Sequence, residues 1–190
     1  MRSSLTVAEA IRSRRSVKEF TARAVTRPEI ERLLDAAVLA PNHRMTEPWR
    51  FYVLGPEARA AYGAALGDRK GRGVADPAAA RLVRQKVARE HAALPAMIVV
   101  AMVQAEDPEL REEDYAAVMM AVQTLSLAAL ELGLGTHIKT GAIMADPAAR
   151  AAAGLPAGER VVAVINIGEP AALPASKPRQ PAASHTVWRP

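Results

Sequence analysis

Cysteine is absent from all 190 residues, and aromatic residues make up only 4% of them. The first absence removes disulfide frameworks, thiolate metal sites and thiol nucleophiles together, and it fits a reducing, cytoplasmic setting. The second leaves no stacking platform of the kind that single-stranded nucleic acid needs. Negative charge is also scarce: 20 Asp and Glu stand against 25 Lys and Arg, a net charge of +5 with a pI near 10.0. That balance favours an anionic partner, and phosphate on a small cofactor answers it as well as nucleic acid does. The basic residues form no long run, so no nucleic-acid partner is expected.

Long apolar runs are missing too. The window from Tyr115 to Leu130 carries no charge, but it is shorter than the ~18–20 residues of a membrane span, and Gln123, Thr124 and Ser126 interrupt it. It reads as a buried core helix, and no membrane association is expected. Arg2, Arg12, Arg14 and Arg15 give the first residues a faint look of a transit peptide, against which Glu9 and a ready helical reading argue. Signature loops are lacking as well. The chain has no G-x-x-x-x-G-K-[ST], no G-x-S-x-G and no H-E-x-x-H, and Ile138 breaks the G-x-G that Gly133 and Gly135 begin. The four histidines, at 43, 91, 137 and 185, lie more than forty positions apart, which is not metal-ligand spacing on one element. A chain without reactive groups of its own borrows them from a cofactor.

What is present is one domain's worth of core. Half the residues are hydrophobic, 24% are charged and mean hydropathy is −0.00, which suits a single globular domain over 1–190 with a Pro-rich tail from 170 to 190. Thr6 with Glu9 and Thr26 with Glu29 are capping boxes, the second followed by a helical run that Pro41 stops. Strands are expected at Arg50–Leu54, Ala96–Val103, Thr136–Ile138 and Arg160–Ile167. Helices are expected at Glu57–Leu66, Pro77–His91 and Glu112–Leu132, with a basic glycine-punctuated loop at Gly67–Gly73 and a brief helix started by Asp146-Pro147. Pro174, Pro178, Pro181 and Pro190 keep the tail out of helix and central sheet, and Trp188 suggests that it wraps around a partner.

Four segments carry chemistry. Arg14-Arg-Ser-Val-Lys-Glu-Phe20 is either an anion clamp or a solvated helix end favourable to the dipole. Ala40-Pro-Asn-His-Arg-Met-Thr-Glu-Pro-Trp-Arg-Phe51 is a Pro-bounded loop leading into a strand. Gly133-Leu-Gly-Thr-His-Ile-Lys-Thr-Gly141 lets backbone approach a flat ligand closely, or is a plain helix–strand connection. Asn166-Ile-Gly-Glu-Pro170 is followed by Lys177-Pro-Arg179.

In this order and near this spacing, the four segments resemble the FMN-dependent nitroreductase family over Ile11 to Arg179. The Pro-Trp loop looks most like its small, minimal-length NAD(P)H nitroreductase branch. The resemblance implies an α+β fold: a mixed four- or five-stranded sheet with helices on both faces, in an intertwined homodimer with FMN at the subunit interface. It implies that Arg14, Arg15, Ser16 and Lys18 hold the FMN phosphate and ribityl chain, Lys18 reaching the pyrimidine edge. Leu39 and His43 match loop positions that contact FMN from the other subunit, although His43 reads equally as a satisfied loop histidine. Ile138, Lys139 and Thr140 match the segment beside the isoalloxazine ring, and Lys177 and Arg179 a basic pair that closes on the phosphate. The chain departs from many members at Met45 and Glu47, where they carry Asn and Gln, and at Lys139, where some carry an acid.

The implied reaction is ping-pong two-electron reduction of a small oxidising substrate, a nitro compound, a quinone or a similar acceptor, with NADH or NADPH as reductant. No acid–base residue of the protein is required, because FMN carries the chemistry. Rival readings are a flavin-dependent offshoot that dehalogenates or breaks down flavin, a flavin-storing dimer, and a basic anion- or nucleic-acid-binding protein.

Overall fold

The computed structural model describes residues 5–190; Arg2, part of the transit-like run, lies outside them. Two capping boxes open the chain. Thr6 Oγ1 accepts from Glu9 N and the Glu9 carboxylate accepts from Thr6 N, starting α1 (Val7–Ser13). Thr26 and Glu29 repeat the arrangement at α2 (Arg27–Ala37). Each box satisfies two amides that the first helical turn leaves without partners.

The sheet holds β1 (Trp49–Val53), β2 (Ala96–Val103), β3 (Gly135–Lys139) and β4 (Glu159–Gly168), ordered β1-β2-β4-β3. All three ladders are antiparallel. The mixed character expected of the sheet is confined to one parallel bridge, Ser16 to Thr136, at its β3 edge. Alternation along β2 divides the core. Ile98, Val100 and Met102 face α2 and α5 (Pro108–Glu131), whereas Met97 and Val99 face Tyr62 and Ala65 of α3 (Pro56–Gly71) and Ala149 of α6 (Pro147–Ala152). With cover on both faces, β2 has to be apolar throughout.

Two expected boundaries move, each for a packing reason. The segment Gly67–Gly73 is not a loop at its start, because α3 continues through Gly67 to Gly71. Glycine there serves close approach: a Cβ at Gly67 would lie 2.6 Å from Cα of Arg84 on α4 (Pro77–Ala92). The long apolar helix begins at Pro108 rather than near Glu112, since Asp107 caps it by accepting from Glu109 N. Beyond the Phe20–Pro170 bridge the tail forms no strand, and residues 171–190 are exposed along their whole length. No helix among the described residues is long and apolar enough to cross a membrane.

Candidate functional site

The site is built where α1 runs out. Arg14 leaves the helix in an extended conformation, and Arg15 folds back so that Nη1 donates to the carbonyls of Arg12 (2.6 Å) and Arg14 (2.9 Å). Arg15 thereby occupies carbonyls that the helix end would leave open, which is the dipole role of a basic residue at a C-terminus. The chain then docks on the β3 edge. Val17 N donates to Thr136 O at 3.0 Å, and the Val17 side chain fills the space above Gly135, where a Cβ would sit 2.5 Å from it. With Val17 buried, Ser16 and Lys18 remain exposed on either side of it.

The same segment is stitched to the start of the tail. Thr21 N donates to Glu169 O and Ala171 N to Glu19 O, around the Phe20–Pro170 bridge. From there the tail returns past α1 and borders an open cleft of about 740 Å³. Arg12, Arg14, Arg15 and Lys18 line one wall and Lys177 and Arg179 the other, with Glu19 as the sole carboxylate in the lining among the described residues. Six cations against one acid in a cavity of that size make a strong anion site.

From the Ser16 bridge, β3 runs on to Lys139, which reaches His91 on α4. Ile138 packs with the α5-side core, so His137 and Lys139 point to the opposite face. Lys139 Nζ lies 3.4 Å from His91 Nε2. Burial lowers the pKa of Lys139 from its ordinary value, and the field of Lys70 adds to this. Burial likewise depresses His137, with smaller contributions from Lys139 and Lys18.

Leu39 and His43 sit elsewhere, beside α5. Leu39 is 82% exposed. His43 Nδ1 bonds Glu113 Oε2 at 2.8 Å, and Thr46 Oγ1 donates to the buried Asp114 at 2.5 Å. Asn42 Oδ1 accepts from Glu47 N, while its amide nitrogen donates to His43 O and Thr46 Oγ1. Those bonds hold Arg44, Met45 and Glu47 in left-handed conformations, with φ of 60°, 51° and 45°. Three such non-glycine residues in four positions store strain, a pattern that clusters at functional sites.

The nitroreductase family profile matches residues 11–169. The chain belongs to the nitroreductase family. It is 34% identical to a Bacillus subtilis protein named "Putative NAD(P)H nitroreductase YfhC", across 91% of this chain and 89% of that one. A nitroreductase-like family protein from Bacillus cereus superposes with a TM-score of 0.85 at 31% identity, covering 100% of this chain and 98% of that one. A Desulfovibrio desulfuricans structure, described as a "putative nitroreductase in complex with FMN", superposes with a TM-score of 0.73 at 27% identity, covering 99% of each chain.

Within this nitroreductase fold, Arg14, Arg15, Ser16, Lys18, Lys177 and Arg179 come together in one cavity, although the two groups are more than 150 residues apart in sequence. Ile138 and Lys139 on β3 and Thr140 just after it do not line that cavity, and neither do Leu39 and His43. Sequence reasoning missed Arg12 and Glu19 in the lining, and His91 beside Lys139. Arg12 was findable, being a basic residue in the last turn of α1 just before the basic segment. His91 carried no local signal, because its partner lies 48 residues away.

Proposed function

We propose that the chain is an FMN-dependent oxidoreductase that draws two electrons from NADH or NADPH and reduces a nitro compound, a quinone or a similar acceptor. The observation that carries this reading is the cavity joining the basic segment after α1 to the basic pair of the tail beside the β3 edge. Its donor set fits a phosphate-bearing flavin: guanidinium forks and a hydroxyl for a dianionic phosphate, then a strand edge long enough for a flat ring. FMN, when bound, supplies the two-electron chemistry by a ping-pong route. Arg14, Lys177 and Arg179 bind the phosphate as charged donors, and Ser16 adds its hydroxyl. Arg15 shapes the corner by holding the end of α1. Lys18 faces the pyrimidine edge, and Ile138, Lys139 and Thr140 lie beside the ring.

The functional unit in this reading is a homodimer, with Leu39 and His43 contributed across the interface. A compact monomer of 20.3 kDa exposes about 8,800 Å², whereas this chain exposes 11635 Å². Residues 171–190 are exposed along their length, and several apolar side chains are uncovered. Ile11 is 58% exposed and Met45 74%.

The purified protein should be yellow, with flavin absorbance that NADH or NADPH bleaches without oxygen. A colourless preparation that takes up no added FMN overturns the reading.

A further inference from the structure

A phosphate accounts for the cavity beside α1, but not for the far end of β3. Lys139 lies three residues beyond Thr136, roughly 10 Å along a strand, and its ammonium meets His91 rather than a carboxylate. His91 Nδ1 is 2.8 Å from Val87 O, so it carries the proton and leaves the Nε2 lone pair to accept from Lys139. Gly63 permits this seat, since a Cβ there would stand 2.7 Å from both His91 Cβ and Val87 O. The charged and titratable groups around the pair are Tyr62 and Lys70 on α3, Glu90 on α4, His137 on β3, and Lys18 beyond it. Glu90 is the acid among these, and it lies against Lys86. Among the described residues Lys139 makes no ion pair. A half-buried ammonium held this way is costly until an anion completes its surroundings.

We propose that His91 is a positioning residue that holds the Lys139 ammonium as a second fixed positive charge at the ring end of the flavin site, where it favours the reduced, anionic ring over the oxidised one. The proposal rests on the FMN reading above. The choice of histidine is the telling feature. A carboxylate would hold the lysine equally well but cancel its field, whereas a neutral imidazole accepts the hydrogen bond and adds no negative charge. Burial lowers the pKa of His91 and the fields of Lys139 and Lys70 act in the same direction, against the hydrogen bond to Val87 O and the field of Glu90. A cation that interacts more strongly with one redox state shifts the equilibrium towards it.

The test uses full-length protein reconstituted with FMN, in four forms: wild type, Lys139→Met, His91→Leu and His91→Gln. Potentials are measured by equilibration with a reference dye. Lys139→Met should lose about tenfold in the affinity ratio of reduced over oxidised FMN, which for two electrons is ~30 mV. His91→Leu should shift the same way by less, and His91→Gln, whose amide oxygen can accept from Lys139, should restore the wild-type value. In the FMN-free protein, Lys139→Met should raise the pKa of His91 followed by NMR, because a like charge has gone. An unchanged potential in Lys139→Met with FMN still bound overturns the proposal and leaves the FMN reading intact. Equal shifts in His91→Leu and His91→Gln overturn the role given to His91. Wild type that takes up no FMN overturns the FMN reading and this proposal with it.

Discussion

Arg14 and Lys18 sit four residues apart and line one cavity, yet the proposed function gives them separable tasks. Arg14 is assigned to the phosphate, where charge-assisted hydrogen bonds are at stake. Arg14→Ala should weaken FMN binding by about 2–3 kcal/mol and leave riboflavin, which lacks the phosphate, nearly unaffected. Fluorescence titration with both ligands checks this, and equal losses would place Arg14 elsewhere. Lys18 is exposed and lines the cavity. A cation at the pyrimidine edge stabilises the reduced ring by about 1–2 kcal/mol, so Lys18→Met should lower the FMN potential by ~20–40 mV while affinity falls only modestly. A lysine that is merely solvated predicts an unchanged potential. Arg15 shows why residue type alone left two readings open. Its sequence context suits a phosphate clamp, but one guanidinium nitrogen is already spent on the end of α1.

Among the elements, those with local signals were legible and those that rely on a distant partner were not. Capping boxes, proline at the first helical position and the apolar run of β2 are written within a few residues of where they act. The α3–α4 hairpin was misread at Gly67 because glycine signals a turn locally and close helix contact only in three dimensions. Gly67→Ala should therefore destabilise despite alanine's helix propensity. Overpacking costs about 1–3 kcal/mol against roughly 1 kcal/mol of propensity gained, so Tm should fall by a few degrees. A raised Tm would mean that α4 can move aside. The tail makes a second test. Ending the chain after Ala171 keeps the Phe20–Pro170 bridge and the Ala171–Glu19 hydrogen bond, so the sheet edge survives. Loss of Lys177 and Arg179 should still cost about tenfold or more in FMN affinity. Undiminished affinity on titration would remove the tail from the site.

For the molecule as a whole, charge and shape point to assembly and to ligand-dependent stability. Sizing with light scattering should give a dimer mass, and a monomer retaining full FMN binding would refute the shared site. The apoprotein should also lose stability on acidification. Burial lowers the pKa of both His91 and His137 from 6.5 in the folded state. Below that value the unfolded chain therefore binds more protons, so their contribution is complete above about 6.5 and is lost as pH falls through the folded values. Lys139, lowered from 10.5, gives the same sign at higher pH. Urea unfolding of the apoprotein should show stability rising from about pH 5.5 to pH 8, and a flat profile would contradict the burial of these groups.

The α+β class came from the family resemblance, while the sequence by itself determined the order of most elements, the positions of the helix starts and the chemical identity of both basic segments. Those features depend on neighbours within a turn of helix or a few residues of strand, where propensity, capping and periodicity act. Tertiary structure alone decided that the two basic segments close one cavity, because the stitching of Glu19 and Thr21 to Glu169 and Ala171 sets the tail's direction. It alone decided that the ladders run antiparallel, since the hydrophobic pattern of a fully covered strand carries no direction. And it alone set Lys139 against His91, 48 residues away, because that contact depends on the missing side chain of Gly63, which lets α4 settle close to α3.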